Sequence, residues 1–231
     1  MLRIRDLDVA IGSVGILRGV GLELPGGEMA GLIGRNGAGK TTLMRSIMGL
    51  LPARRGTIEL DGRALTAIPA YGRTRLGIGY MPEDRRLVPE LTVEENILVP
   101  AWALGANGIA ERWRRICGMI PEIEALAARR ALQLSGGQQK LVAIGRALMC
   151  GSRLLLLDEP FEGVAPALSR RIAEVVAGLK SEGLSILVSE SDLQHSAAML
   201  DRIFQIERGE VRPGSLGPGS PGEADHARTM S

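Results

Sequence analysis

An α/β fold with a mostly parallel core sheet is predicted for this 231-residue chain from three observations. Strand-like apolar runs alternate with helical periodicities along most of its length. One such run, Met29 to Ile33, leads straight into a glycine-rich loop that a helix follows. Another, Leu154 to Leu157, contains no polar residue and reads as a strand buried on both faces of a parallel sheet. Two departures from the parallel pattern are expected: an antiparallel β subdomain at the N-terminus and an inserted helical subdomain from about residue 91 to 150.

In chain order, the alternation in Leu2-Arg3-Ile4-Arg5 and Leu22-Glu23-Leu24 predicts half-buried strands, split by a turn around Gly12 to Gly15. After the Met29–Ile33 strand, Leu43, Met44, Ile47 and Met48 recur at helical spacing until Gly49 and Pro52 stop the helix. Thr57-Ile58-Glu59-Leu60 reads as a strand closing in the turn Asp61-Gly62. The middle turns helical, with Thr92 and Glu95 placed as a capping box. Ala167 to Lys180 is amphipathic helix and Ser185 to Val188 the next strand. The globular unit is expected to span 1–212. The Gly-, Pro- and Ser-rich stretch 213–231 reads as a disordered tail.

Composition narrows the function. Apolar residues make up 45% of the chain and aromatics only 3%, so an aliphatic core is expected. The 28 basic and 26 acidic residues nearly balance, which gives no basic face for nucleic acid. Cys117 and Cys150 form no CxxC pair and suit a reducing cytosol. No charged-then-apolar leader precedes the first strand. The uncharged stretch Ile97 to Ala110 contains Pro100, Gly105, Asn107 and Gly108 and is too short to span a bilayer. A soluble polypeptide is expected, held at any membrane by a partner.

The chemistry begins at Gly34-Arg35-Asn36-Gly37-Ala38-Gly39-Lys40-Thr41, followed by Thr42, which fits G-x-x-x-x-G-K-[ST] between a strand and a helix. Glycines let backbone N–H groups converge on phosphate oxygens, and the helix N-terminus adds partial positive charge. Lys40 is placed to contact β- and γ-phosphates and Thr41 to bind Mg²⁺. A glycine-rich turn in a chain with 31 glycines is the bland alternative, but the chain has only three lysines. Asp158, ending the second apolar run, is placed to reach the metal shell. Glu159, one residue on, is placed to orient and deprotonate water. A nucleotide and Mg²⁺ are the expected ligands.

Between these two motifs lies Leu134-Ser135-Gly136-Gly137-Gln138-Gln139, directly before a helix carrying Leu141, Ile144, Ala147 and Leu148. By itself it is a capped helix start with an anion-binding design. Together the three motifs resemble the ABC (ATP-binding cassette) family over roughly Leu2 to Val211. The resemblance implies that Asp158 is the Walker B aspartate and Glu159 the catalytic glutamate. It also implies that Ser135, Gly136, Gly137 and Gln138 complete the ATP site of a second cassette, identical or different. Glu83, in Met81-Pro82-Glu83-Asp84-Arg85-Arg86, falls at the family's Q-loop, commonly glutamine, and is a candidate for the metal shell and for catalysis. That segment, with Leu91-Thr92-Val93-Glu94-Glu95-Asn96, Ala143 to Leu148 and Gly163-Val164-Ala165-Pro166, is most similar to the branched-chain amino-acid importer (LivF-type) cassettes. Urea and amide importers use close relatives. The implied partners are integral-membrane permeases, and indirectly a solute-binding protein, at the cytoplasmic face of the inner membrane.

Two positions depart from the family. Ile11 stands where many cassettes place an aromatic residue on adenine, losing on the order of a kcal/mol of stacking. Ser191, in Ser189-Glu190-Ser191-Asp192, aligns with the switch histidine, and a hydroxyl stabilises transition-state charge less well than imidazole. His195, expected on a helix surface one turn beyond, is a weaker candidate for that role. The sequence therefore leads to a slow ATPase subunit of an importer dominated by Glu159. A nucleotide-gated dimerising module with weak hydrolysis is the alternative. A soluble relative acting on ribosomes or DNA is a third, but the chain carries one cassette and no heptad run.

Overall fold

The computed structural model describes residues 1–215 and divides them between two sheets. In the N-terminal sheet, β1 (Leu2–Ile11) pairs antiparallel with β2 (Val14–Leu24) and with β4 (Ala53–Leu60), and the short β5 (Arg63–Ala64) adds to β4. Leu2, Ile4, Leu7 and Val9 are the buried residues of β1. The change of phase between Ile4 and Leu7 is a bulge at Asp6, whose φ is 47°. Gly56 faces that bulge at φ 88°, and a Cβ there would sit 2.4 Å from the Asp6 carbonyl oxygen. Only glycine fits.

The core sheet runs β10-β9-β3-β8-β7-β6, comprising β3 (Met29–Ile33), β6 (Ile78–Met81), β7 (Leu154–Asp158), β8 (Ser185–Glu190), β9 (Arg202–Glu207) and β10 (Glu210–Pro213). All its neighbours are parallel except β9 and β10. Pro213 closes β10 opposite Phe204, so strand structure continues one residue past the expected domain end. The expected tail lies outside the described residues from 216 onward.

Period-two alternation in β7 divides the core. Leu154 and Leu156 face α1 (Lys40–Ile47) and the antiparallel sheet, while Leu155 and Leu157 face the helical side. All four leucines are fully buried, and each contributes about 1.5–3 kcal/mol by leaving water. The helical side comprises α3 (Val93–Leu104), α4 (Ile109–Met119), α5 (Pro121–Leu126), α6 (Gly136–Leu148) and α7 (Pro166–Ser181). The Thr92–Glu95 capping box is present, and the buried Asn96 amide donates to the carbonyls of Val88, Leu91 and Thr92. A short α2 (Ala70–Arg75) and the β6 edge strand were not evident from periodicity. No helix among the described residues is long and apolar enough to cross a membrane.

Parallel order brings the carboxyl ends of β3, β7 and β8 side by side. Gly34, Asp158 and Glu190 therefore meet along one edge of the sheet.

Candidate functional site

The loop after β3 is shaped by contacts that exclude side chains. Gly34 N–H donates to the Glu190 carbonyl, and a Cβ on Gly34 would fall 2.2 Å from the Ile206 carbonyl oxygen. Gly37 and Gly39 take φ values of 80° and 116°, which turn the chain into the first turn of α1. Ala38 is tied on both sides, donating to Arg35 and accepting from Gly209. The N-terminal amides of α1, including those of Thr41 and Thr42, are left facing the loop. A cleft of about 730 Å³ opens beside it, lined by Gly34–Ala38, Ser191 and Gln205–Arg208.

Lys40 lies inside the loop and is buried. Its ammonium donates to the carbonyls of Gly34 and Arg35 and pairs with Glu159 Oε1 at 3.0 Å. The loop lysine and the candidate general base thus form a buried ion pair.

Asp158 is fully buried at the end of β7. Ser189 Oγ donates to its Oδ1 at 2.7 Å and Tyr80 OH to its Oδ2 at 3.2 Å. Burial, reinforced by the Asp158 charge, raises the Tyr80 phenol well above its ordinary value, so it remains a donor. Glu159 is a non-glycine residue at φ 49°, in the left-handed region. Its N–H donates to Ser189 Oγ and to the Ser189 carbonyl, and its own carbonyl accepts from Lys140 Nζ at 2.7 Å. That backbone reversal sends the Glu159 side chain towards Lys40 rather than along the strand.

Glu83 is exposed beyond β6. Desolvation, followed by the charges of Glu162, Asp158 and Glu159, raises its carboxyl above the ordinary range, with Lys140 opposing. It belongs to the electrostatic neighbourhood of Asp158 and Glu159. The segment is anchored to α6: Arg85 Nη1 donates to the Gly136 carbonyl and Gln139 Oε1, while Arg146 donates to the carbonyls of Arg85 and Arg86.

Ser191 Oγ lies 3.0 Å from Asn36 Oδ1 and 3.2 Å from Glu159 Oε1, so its single proton is shared between the loop and the carboxylate. His195 corrects an expectation. Residues 191–196 are bends and turns rather than helix, because the chain must return to β9 through the short 3-10 turn Ala197–Met199. Its ring instead packs on Phe161, with centroids 5.2 Å apart.

Ser135 caps α6 in a full capping box with Gln138. Ser135 and Gly136 are exposed, whereas Gly137 is buried against Leu168, where a Cβ would fall 1.5 Å from its Cδ2. The first glycine stays open to a ligand, and the second is required by packing. Among the described residues, neither Ser135 nor Gln138 hydrogen-bonds the loop of its own chain.

Three supporting residues escaped the sequence reading: Tyr80, Ser189 and Lys140. Lys140 alone carried a signal, a charged residue immediately before the apolar positions of the α6 helix.

The family model described as ABC transporter matches residues 17–162, more than half of the chain. The chain belongs to that family. It is an ATP-binding cassette, the ATPase subunit of a transporter. One relative, the high-affinity branched-chain amino acid transport ATP-binding protein BraG of Pseudomonas aeruginosa, is 34% identical over 91% of each chain. The lipopolysaccharide export system ATP-binding protein LptB of Escherichia coli K12 is 31% identical, over 85% of this cassette and 82% of that protein. Among solved structures, a dimeric bacterial ABC transporter cassette superimposes with a TM-score of 0.83 at 27% identity, covering 94% of this cassette and 99% of that one. Cassettes of this family work with membrane permeases and as dimers.

Proposed function

We propose that this cassette drives import of branched-chain amino acids or related small polar solutes, such as amides, through permease partners at the cytoplasmic face of the inner membrane. A solute-binding protein would deliver the solute to those permeases. The cassette itself comprises residues 1–213, with the helical subdomain of about 91–150 inserted as the permease-facing part. The similarity to BraG over nine-tenths of both chains, together with the Glu83, Leu91–Asn96 and Gly163–Pro166 segments, supports the importer assignment.

The observation that carries the catalytic reading is the Lys40–Glu159 pair at the mouth of the loop. A γ-phosphate entering Gly34–Thr42 offers Lys40 an anion in place of the carboxylate, which releases Glu159 towards water. Glu159 then accepts the water proton as the oxygen attacks the γ-phosphorus and the bridging oxygen departs with ADP. Loop amides and Lys40 hold the charge that develops on the phosphoryl oxygens. Ser191 and Asn36 orient Glu159 and the phosphate from the opposite side. Ser135, Gly136 and Gln138 of a second cassette close over the nucleotide.

Asp158 is a fully buried carboxylate held by two neutral hydroxyls, with no ion pair among the described residues. Such a charge calls for a cation, and a hard oxygen donor set suits Mg²⁺. Thr41 and Asp158 would hold the ion, with Glu83 at its outer edge. When bound, Mg²⁺ would neutralise phosphate charge.

To test this reading, the cassette is reconstituted in vesicles with its permease partners and a solute-binding protein. Phosphate release stimulated by an aliphatic amino acid or amide, with uptake of that solute, is expected. Solute-independent hydrolysis or outward movement of a lipid would contradict it. The serine at position 191 favours one second reading, a nucleotide-gated module; ATP-dependent association without phosphate release would establish that instead.

A further inference from the structure

The left-handed backbone of Glu159 is gripped from both sides. Its N–H is held by Ser189 from β8, and its carbonyl by Lys140 from α6. Lys140 also donates to the Glu162 carbonyl, so one ammonium fastens both ends of the turn Glu159-Pro160-Phe161-Glu162. The side chain is only 4% exposed, and it forms no ion pair among the described residues. Arg85 faces it as a like charge, and Glu162, Glu159 and Glu83 as opposite ones. Burying an ammonium against two carbonyls costs more than an apolar residue there would. Left-handed backbone at a non-glycine residue persists only where its surroundings over-determine it.

We propose that Lys140 is a positioning residue for hydrolysis, holding the Glu159 peptide in the left-handed turn that aims its carboxylate at the attacking water. Because Lys140 lies in α6, whose exposed N-terminus is Ser135, it also ties the surface offered to the partner's nucleotide to the base acting on this chain's own. The inference rests on Glu159 being the general base.

The test uses the assembled complex carrying Lys140→Met, which keeps the length and removes the donors. Turnover should fall about ten- to a hundredfold while the ATP KM and ATP-dependent cassette association stay within about twofold, the pattern of a misplaced catalytic group. Lys140→Gln, which retains an N–H₂ donor, should recover most of the loss. If Lys140→Met does not fold, Lys140→Leu, which also lacks the donors, decides the matter by the same split between kcat and KM. Unchanged turnover, or a KM that rises in step with falling turnover, would overturn the proposal. If Glu159→Gln leaves turnover intact, the catalytic reading itself falls; if Glu159→Gln abolishes turnover and Lys140→Met does not affect it, only this inference falls.

Discussion

At the scale of single residues, the site is a set of buried charges whose partners can exchange. Glu159 pairs with Lys40 and shares the Ser191 proton with Asn36. Replacing that serine with an imidazole supplies a donor that can carry positive charge, so Ser191→His is expected to raise phosphate release several-fold. A fall would show the hydroxyl to be matched to Glu159 as it stands. Glu190, immediately before Ser191, is buried at the end of β8. Burial pushes its carboxyl up to about 7, with the Glu159 and Asp192 charges adding to it. The folded state therefore binds this proton more tightly than the unfolded state, and stability falls as pH rises from the ordinary value of 4.5 towards 7. Glu190→Gln should flatten that slope and leave the variant relatively more stable at pH 8 than at pH 5.5, as thermal unfolding would report. A parallel pH response in both proteins would place the titration elsewhere.

Elements position these residues by close backbone approach. The Gly34 loop lies so near β9 that Gly34→Ala pushes a Cβ into the Ile206 carbonyl, and a loss of about 2 kcal/mol or more is expected in denaturant unfolding. A loss below about 0.5 kcal/mol would show that the loop can yield. At α6, Ser135→Ala removes the side-chain cap, costing about 1 kcal/mol. The same change should weaken ATP-dependent association, which cap loss alone does not explain. Local motifs were legible in the sequence for a physical reason: a strand–loop–helix phosphate site, a capping box and an apolar strand ending in two carboxylates are each written in contiguous residues. Tyr80, Ser189 and Lys140 were not, because they reach the Asp158 carboxylate and the Glu159 backbone from 78, 31 and 19 residues away. The β6 strand that carries Tyr80 is four residues long and includes a glycine, too short for a period to declare itself. The expected helix through His195 failed because the chain must turn back to β9 within a few residues.

For the whole molecule, the proposed reading makes this chain half of an enzyme. One edge of the core sheet gathers the loop, Asp158 and Glu159, while Ser135 is exposed on the helical side and, among the described residues, bonds within its own helix cap. The fold class could be read from alternating elements, and the need for a second cassette only from resemblance, since no hydrogen bond among the described residues links Ser135 to the phosphate loop. A solved dimeric cassette superimposes over 94% of this chain, which supports a two-cassette assembly. The most direct measurement compares wild type with Glu159→Gln in the presence of ATP, following phosphate release and molar mass together. Turnover should fall on the order of a hundredfold or more while an ATP-bound two-cassette species accumulates, and that species should disappear when Ser135→Arg is added. Undiminished turnover in Glu159→Gln, or an accumulated species indifferent to Ser135, would contradict the account.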